Sequence, residues 1–211
     1  IYETPKSCMQ YVLGADTSEG LAKGDESFAV VREKYTRNVV ATVHGLIPPD
    51  VFARYIWLLA KFYNDADLAP ENNSMGYAVC KDVEMMGCNL YYTPRIEQTQ
   101  EGDTKKRGFT TSAKTRPLML AQAEEEVRLI HCEIRDEAIL GQMETFVRDP
   151  GSGSPRADGN FLDDGVLAFA ICGQVITEKP FRPKAEVNSA VWAEVKRRKA
   201  VKNGGFTFST H

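Results

Sequence analysis

The chain has 211 residues, 43% of them hydrophobic and 26% charged, the balance of an ordinary soluble globular protein with room for one sizeable core. Its net charge of −3 argues against a protein that coats nucleic acid by bulk electrostatics, although local basic clusters can still act. No stretch approaches about 18 apolar residues, so no membrane span is expected, and the opening Ile1-Tyr2-Glu3-Thr4-Pro5-Lys6 does not read as a secretory signal.

Along the chain, residues 9–15, 27–33 and 37–45 read as three strands rich in β-branched and apolar residues, joined by short polar links as an antiparallel meander. Pro48-Pro49-Asp50 opens a helix running to about Tyr63, with apolar Val51, Tyr55, Leu58, Leu59 and Phe62 at helical spacing. Residues 66–71 read as a fourth strand, reached by a crossover and so parallel to the first. Asn72-Asn73-Ser74 caps a second helix to about Met86, and residues 88–92 read as a fifth strand. An exposed loop or hairpin over 93–112 precedes helices at about 115–127 and 136–145, and a glycine-serine loop covers 149–156. A last apolar helix starts at Asp163-Asp164 and passes through Cys172. From Lys179 the chain turns proline-rich and then basic. The division expected is one domain over residues 1–180 and a basic tail over 181–211.

The acids carry the functional information. Asp16 ends the first core strand, where a carboxylate is costly to desolvate unless a positive group sits beside it. A divalent cation is the usual solution, and carboxylate oxygens suit magnesium and manganese. Glu71 follows the fourth strand, and Asp163 and Asp164 open the last helix. Neighbouring strands lie about 4.8 Å apart, so Asp16 and Glu71 on adjacent strand ends can share one ion. The last helix then delivers Asp164, or as second choice Asp163, to the same place. Asp25, shortly before the second strand, can return beside it. Phosphodiester hydrolysis by two ions about 3.5–4 Å apart needs such a set. Taken singly, each acid also has a plain role as a turn or helix cap.

Other chemistries find no support. There is no G-x-x-x-x-G-K-[ST] phosphate loop and no G-x-S-x-G elbow, and His44, His131 and His211 show no evident nucleophile partner. The five cysteines (Cys8, Cys80, Cys88, Cys132, Cys172) show no CxxC spacing and read as reduced thilos of a cytosolic protein, with no zinc site expected. Between Arg95 and Arg116, six basic residues face three acidic ones. Lys105, Lys106, Arg107, Lys114 and Arg116 are the candidate phosphate contacts, and Lys196-Arg197-Arg198-Lys199 with Lys202 forms a second basic run.

Several segments resemble the nuclease domain of the large terminase subunit of tailed bacteriophages. They are Leu13-Gly14-Ala15-Asp16-Thr17-Ser18-Glu19-Gly20 with Gly24-Asp25, Pro70-Glu71-Asn72-Asn73-Ser74-Met75-Gly76, Ser112-Ala113-Lys114-Thr115-Arg116-Pro117-Leu118-Met119, Met143-Glu144-Thr145-Phe146-Val147, and the aspartate pair before an apolar helix. The resemblance implies a ribonuclease H-like α/β fold, a mixed five-stranded sheet flanked by helices. It also implies a two-metal endonuclease, dependent on Mg2+ or Mn2+, that cuts concatemeric double-stranded viral DNA at the start and end of packaging. The expected partners are double-stranded DNA, an ATPase motor domain of the same polypeptide, the portal protein and the small terminase subunit, in the host cell cytoplasm. A chain opening at isoleucine and lacking a phosphate loop reads as a piece without its motor. Members often carry histidine before the aspartate pair, where this chain has Leu162. Competing readings are another ribonuclease H-like nuclease, such as a junction resolvase or transposase core, and a non-catalytic module that docks on DNA or a portal.

Overall fold

A computed structural model describes residues 1–21, 25–93, 105–148, 155–157 and 163–182. The second basic run and most of the glycine-serine loop lie outside the described residues. Ile1–Phe181 forms one compact unit.

Its centre is a four-stranded sheet in the order β3-β2-β1-β4. β1 (Tyr11–Asp16) pairs antiparallel with β2 (Ser27–Glu33), and β2 pairs antiparallel with β3 (Val39–Gly45). After helix α1 (Pro49–Phe62), β4 (Asp67–Pro70) returns parallel to β1, as a helical crossover requires. The expected fifth strand is only a single parallel bridge, Leu68 to Leu90, with Tyr91 N–H donating to the Leu68 carbonyl at 2.8 Å. The chain then leaves the sheet, and β5 (Tyr92–Thr93) pairs instead with β6 (Lys106–Arg107) in a small hairpin. A second small hairpin joins β7 (Phe146–Arg148) to β8 (Pro155–Ala157).

Every residue of β1 and β2 is buried because both faces of the sheet are covered. On one side Phe52, Ala53, Ile56 and Ala60 of α1 are buried, and Tyr63 meets Tyr11 edge-on with ring centroids 5.1 Å apart. The outward stripe Tyr55, Leu58 and Phe62 stays exposed. This helix carries two apolar stripes, and the buried one is not the one its spacing first suggests. On the other side lies α5 (Asp164–Glu178), buried almost from end to end. α3 (Thr115–Arg128) and α4 (Glu137–Glu144) pack on it in turn, so α5 lies between layers.

That middle layer contains a buried ion pair. Arg32 of β2 is fully buried, places its guanidinium 4.0 Å from the Phe169 ring centroid, and meets Glu126 of α3 at 2.6 Å. Arg37 also pairs with Glu126. Burial pushes the Glu126 carboxyl up, but the two guanidinium groups outweigh it and hold the group below its usual range.

Candidate metal centre

Side chains alternate along a strand, so Val12, Gly14 and Asp16 point to the same face, the one covered by α5. Cys172 of α5 sits against Gly14, whose N–H donates to its Sγ at 3.0 Å. A Cβ on Gly14 would stand 2.4 Å from the Ala168 carbonyl, so helix and strand are in backbone contact there. One further helical turn, about 6 Å along, leads from Ala168 to Asp164. Two strand residues, about 6.6 Å along, lead from Gly14 to Asp16. The matching steps carry the contact onward and bring Asp164 to Asp16.

Glu71 arrives from the other side. Ala15 and Pro70 are register partners in the parallel pair, and Glu71 N–H donates to the Ala15 carbonyl at 2.7 Å. Asp16, Glu71 and Asp164 therefore gather at one end of the sheet, all buried, at 7%, 8% and 8% exposure. Burial first, and then the charges of Glu71 and Asp164, push the Asp16 carboxyl well above the usual carboxylate range. Burial, with Asp25 and Asp163 nearby, pushes Asp164 up to about 7. Asp25 itself is exposed. Asp164 Oδ2 and the neighbouring Thr17 Oγ1 are buried with no hydrogen-bond partner among the described residues.

Asp163 is placed differently from Asp164: it is half-exposed and forms an ion pair with Arg116 at the start of α3. Among the described residues, no three His, Cys, Asp or Glu side chains close into a ready-made cation cage.

Two supporting side chains escaped the sequence reading as site residues. Asn73 donates its amide to Glu71 Oε2 at 3.0 Å and to Asp16 Oδ1 at 3.3 Å. Gln142 of α4 uses Oε1 to accept the N–H groups of Gly165 at 2.8 Å and Val166 at 3.3 Å, capping α5 beside Asp164. The only signal for Asn73 was its place two residues after Glu71, where it read as part of a helix cap. Its side chain caps the turn that opens α2 (Gly76–Met85), accepting Gly76 N–H at 2.8 Å. For Gln142 there was no local signal, since its partners lie on another helix.

The predicted basic cluster divides. The segment after β6 is laid along Glu71: Phe109 N–H donates to the Pro70 carbonyl at 2.8 Å, and Asn72 N–H donates to the Phe109 carbonyl at 2.6 Å. Gly108 permits this approach, with φ of +71° and no room for a Cβ, which would meet the Pro70 carbonyl at 2.4 Å. Lys105, Lys106 and Lys114 are exposed. Arg107 is tied instead to Glu84 of α2, and Arg116 to Asp163.

No protein-family model matches the sequence, and no curated protein matches it. Among solved structures, the fold is similar to the large terminase nuclease from thermophilic phage G20c with bound magnesium, with a TM-score of 0.63 at 17% identity over 82% of this chain and 84% of that one. It is similar to the large terminase nuclease domain of Thermus phage P74-26, with a TM-score of 0.63 at 15% identity over 85% and 87% of the two chains. The human cytomegalovirus terminase nuclease domain, soaked with manganese and bound to an inhibitor, gives 0.52 at 12% identity over 84% and 89%. At such identities the likeness establishes the fold, a mixed α/β sheet flanked by helices.

Proposed function

We propose that this chain is the metal-dependent endonuclease domain of a viral genome-packaging terminase, cutting concatemeric double-stranded DNA at initiation and termination of packaging. The observation that carries the reading is the meeting of Asp16, Glu71 and Asp164 at one end of the sheet, in a fold shared with terminase nucleases.

The donor set fits a hard divalent cation such as Mg2+ or Mn2+. Three buried carboxylates of one sign meet there, the charges of Glu71 and Asp164 raise the proton affinity of Asp16, and Asp164 keeps an oxygen buried with no hydrogen-bond partner among the described residues. Asp16, Glu71 and Asp164 would hold the ions, with Asp16 the shared ligand and Asp163 and Asp25 at the margin. When bound, a pair of such ions activates a water and neutralises charge on the phosphorus and the leaving oxygen.

The chain's own residues fix the frame for that chemistry. The β1–β4 register sets Glu71 beside Asp16, and Gln142 holds the first turn of α5. The ion pair with Arg116 leaves Asp164, rather than Asp163, as the aspartate free to turn inward. Lys105, Lys106 and Lys114 offer exposed charge for phosphates, while Arg107 and Arg116 reach DNA only by leaving their acidic partners. In this reading the nuclease unit covers residues 1–180 and a basic tail 181–211. Its partners are DNA, an ATPase motor domain of the same polypeptide, the portal protein and the small subunit, in the host cytoplasm. No helix among the described residues is long and apolar enough to cross a membrane.

Cleavage of supercoiled plasmid in magnesium, manganese or EDTA, by the parent and by Asp16→Asn, tests the proposal. Metal-dependent linearisation that is lost in Asp16→Asn is the expected result. Equal cutting by the variant would overturn the assignment of the centre.

A further inference from the structure

We propose that Asn73 is a positioning residue that sets the Asp16–Glu71 pair for a divalent cation, and that its cap on the turn that opens α2 serves to aim it. The inference rests on the metal-centre reading above and adds to it a residue that is not itself a ligand.

The orientation of the amide follows from its surroundings. Asn73 Oδ1 accepts Gly76 N–H at 2.8 Å, while Nδ2 faces Glu71 Oε2 at 3.0 Å and Asp16 Oδ1 at 3.3 Å. Turned over, the amide would set its NH2 group against a backbone N–H and its carbonyl against two carboxylates. Every contact would then be repulsive. The helix amide thus locks the donor end toward the acids. The backbone beneath is equally constrained, because a Cβ on Gly76 would fall 1.8 Å from the Glu71 carbonyl. The start of α2 therefore lies directly on the Glu71 backbone.

The consequence is chemical. Asn73 engages one oxygen of each carboxylate and leaves Asp16 Oδ2 and Glu71 Oε1 outside its contacts. A neutral donor between two anions holds them side by side without neutralising them, so their combined charge remains available to a cation. Partners that orient metal ligands in this way typically contribute about 10- to 100-fold in metal affinity.

A cap alone and an aimed donor make different demands on the side chain. Serine is a good cap residue, but it is too short to bridge both carboxylates. Asn73→Ser and Asn73→Ala are therefore compared with the parent by titration calorimetry with Mn2+ and by thermal melting in EDTA. The expected result is that Asn73→Ser melts within about 2 °C of the parent in EDTA, since the cap survives, yet binds Mn2+ at least about tenfold more weakly. Asn73→Ala should lose both melting temperature and affinity. Parent-like Mn2+ affinity in Asn73→Ser would overturn the inference, reducing Asn73 to a cap and leaving the metal centre intact. If the parent itself bound no Mn2+, the metal-centre reading would fail, and this inference with it.

Discussion

Gly14 of β1 donates its N–H to Cys172 Sγ of α5 at 3.0 Å, and this contact sets how closely the last helix lies on the central strand. The same thiol lies 3.2 Å from the Val30 carbonyl, so one small side chain spans two strands. A methyl group on Gly14 would meet the Ala168 carbonyl at 2.4 Å, a backbone atom that cannot swing aside. Gly14→Ala should therefore cost about 1–3 kcal/mol. In a domain of this size that lowers the melting temperature by about 2–4 °C per kcal/mol, and calorimetry on parent and variant would read it.

The ion pair in the middle layer should be sensitive to loss of one partner. Arg32 is fully buried and depends on Glu126, so Glu126→Gln strands a guanidinium among Phe169 and the sheet. A loss of about 3–5 kcal/mol in urea unfolding is expected. A loss under about 1 kcal/mol would mean that the Arg32 charge finds another partner.

The acidic centre predicts an unusual pH dependence. The Asp16 and Asp164 carboxyls have folded-state values above the unfolded one of 3.8, so the folded chain binds more protons than the unfolded chain between the two. Their contribution is fully present below about pH 4 and is lost as pH rises through about 7 to 8. In EDTA, the melting temperature should therefore fall between pH 5.5 and 8.5, and less steeply in Asp16→Asn. Added Mn2+ should raise it more at pH 8.5 than at pH 5.5. An equal slope in parent and variant would show that other groups govern this range.

The two aspartates at the start of α5 should separate in cleavage. Asp164→Asn removes a buried negative charge beside Asp16, replacing one carboxylate oxygen with an NH2 group, and is expected to lower the cleavage rate by at least about 100-fold. Asp163→Asn removes the partner of Arg116 and should cost no more than about tenfold. Rates in saturating Mn2+ would rank them, and the reverse order would exchange their roles.

DNA binding should depend on the exposed lysines that have no ion-pair partner among the described residues. Alanine at Lys105, Lys106 or Lys114 should weaken binding similarly for unrelated sequences, each lowering the salt slope by about one if it meets a phosphate. Arg107→Ala should have a smaller effect, because Arg107 is already paired with Glu84. Fluorescence anisotropy at several salt concentrations would distinguish them.

Much of the frame was legible along the chain. Three antiparallel strands, a crossover helix and a parallel fourth strand followed from runs rich in β-branched and apolar residues, short polar links and a proline-opened helix. Asp16, Glu71 and Asp164 stood out because each ends or begins a core element, and strand order alone brings the first two together. Tertiary structure decided the rest. It chose Phe52, Ile56 and Ala60 as the buried stripe of α1 over Tyr55, Leu58 and Phe62, because a helical period marks a stripe without saying what covers it. It reduced the fifth strand to one bridge, tied Arg116 to Asp163, and brought Gln142 to the head of α5. Hydrophobic periodicity is local and repeats within one element, so a sequence displays it. Which charge meets which, and which amide caps another helix, depends on residues far apart in the chain, and only packing brings them together.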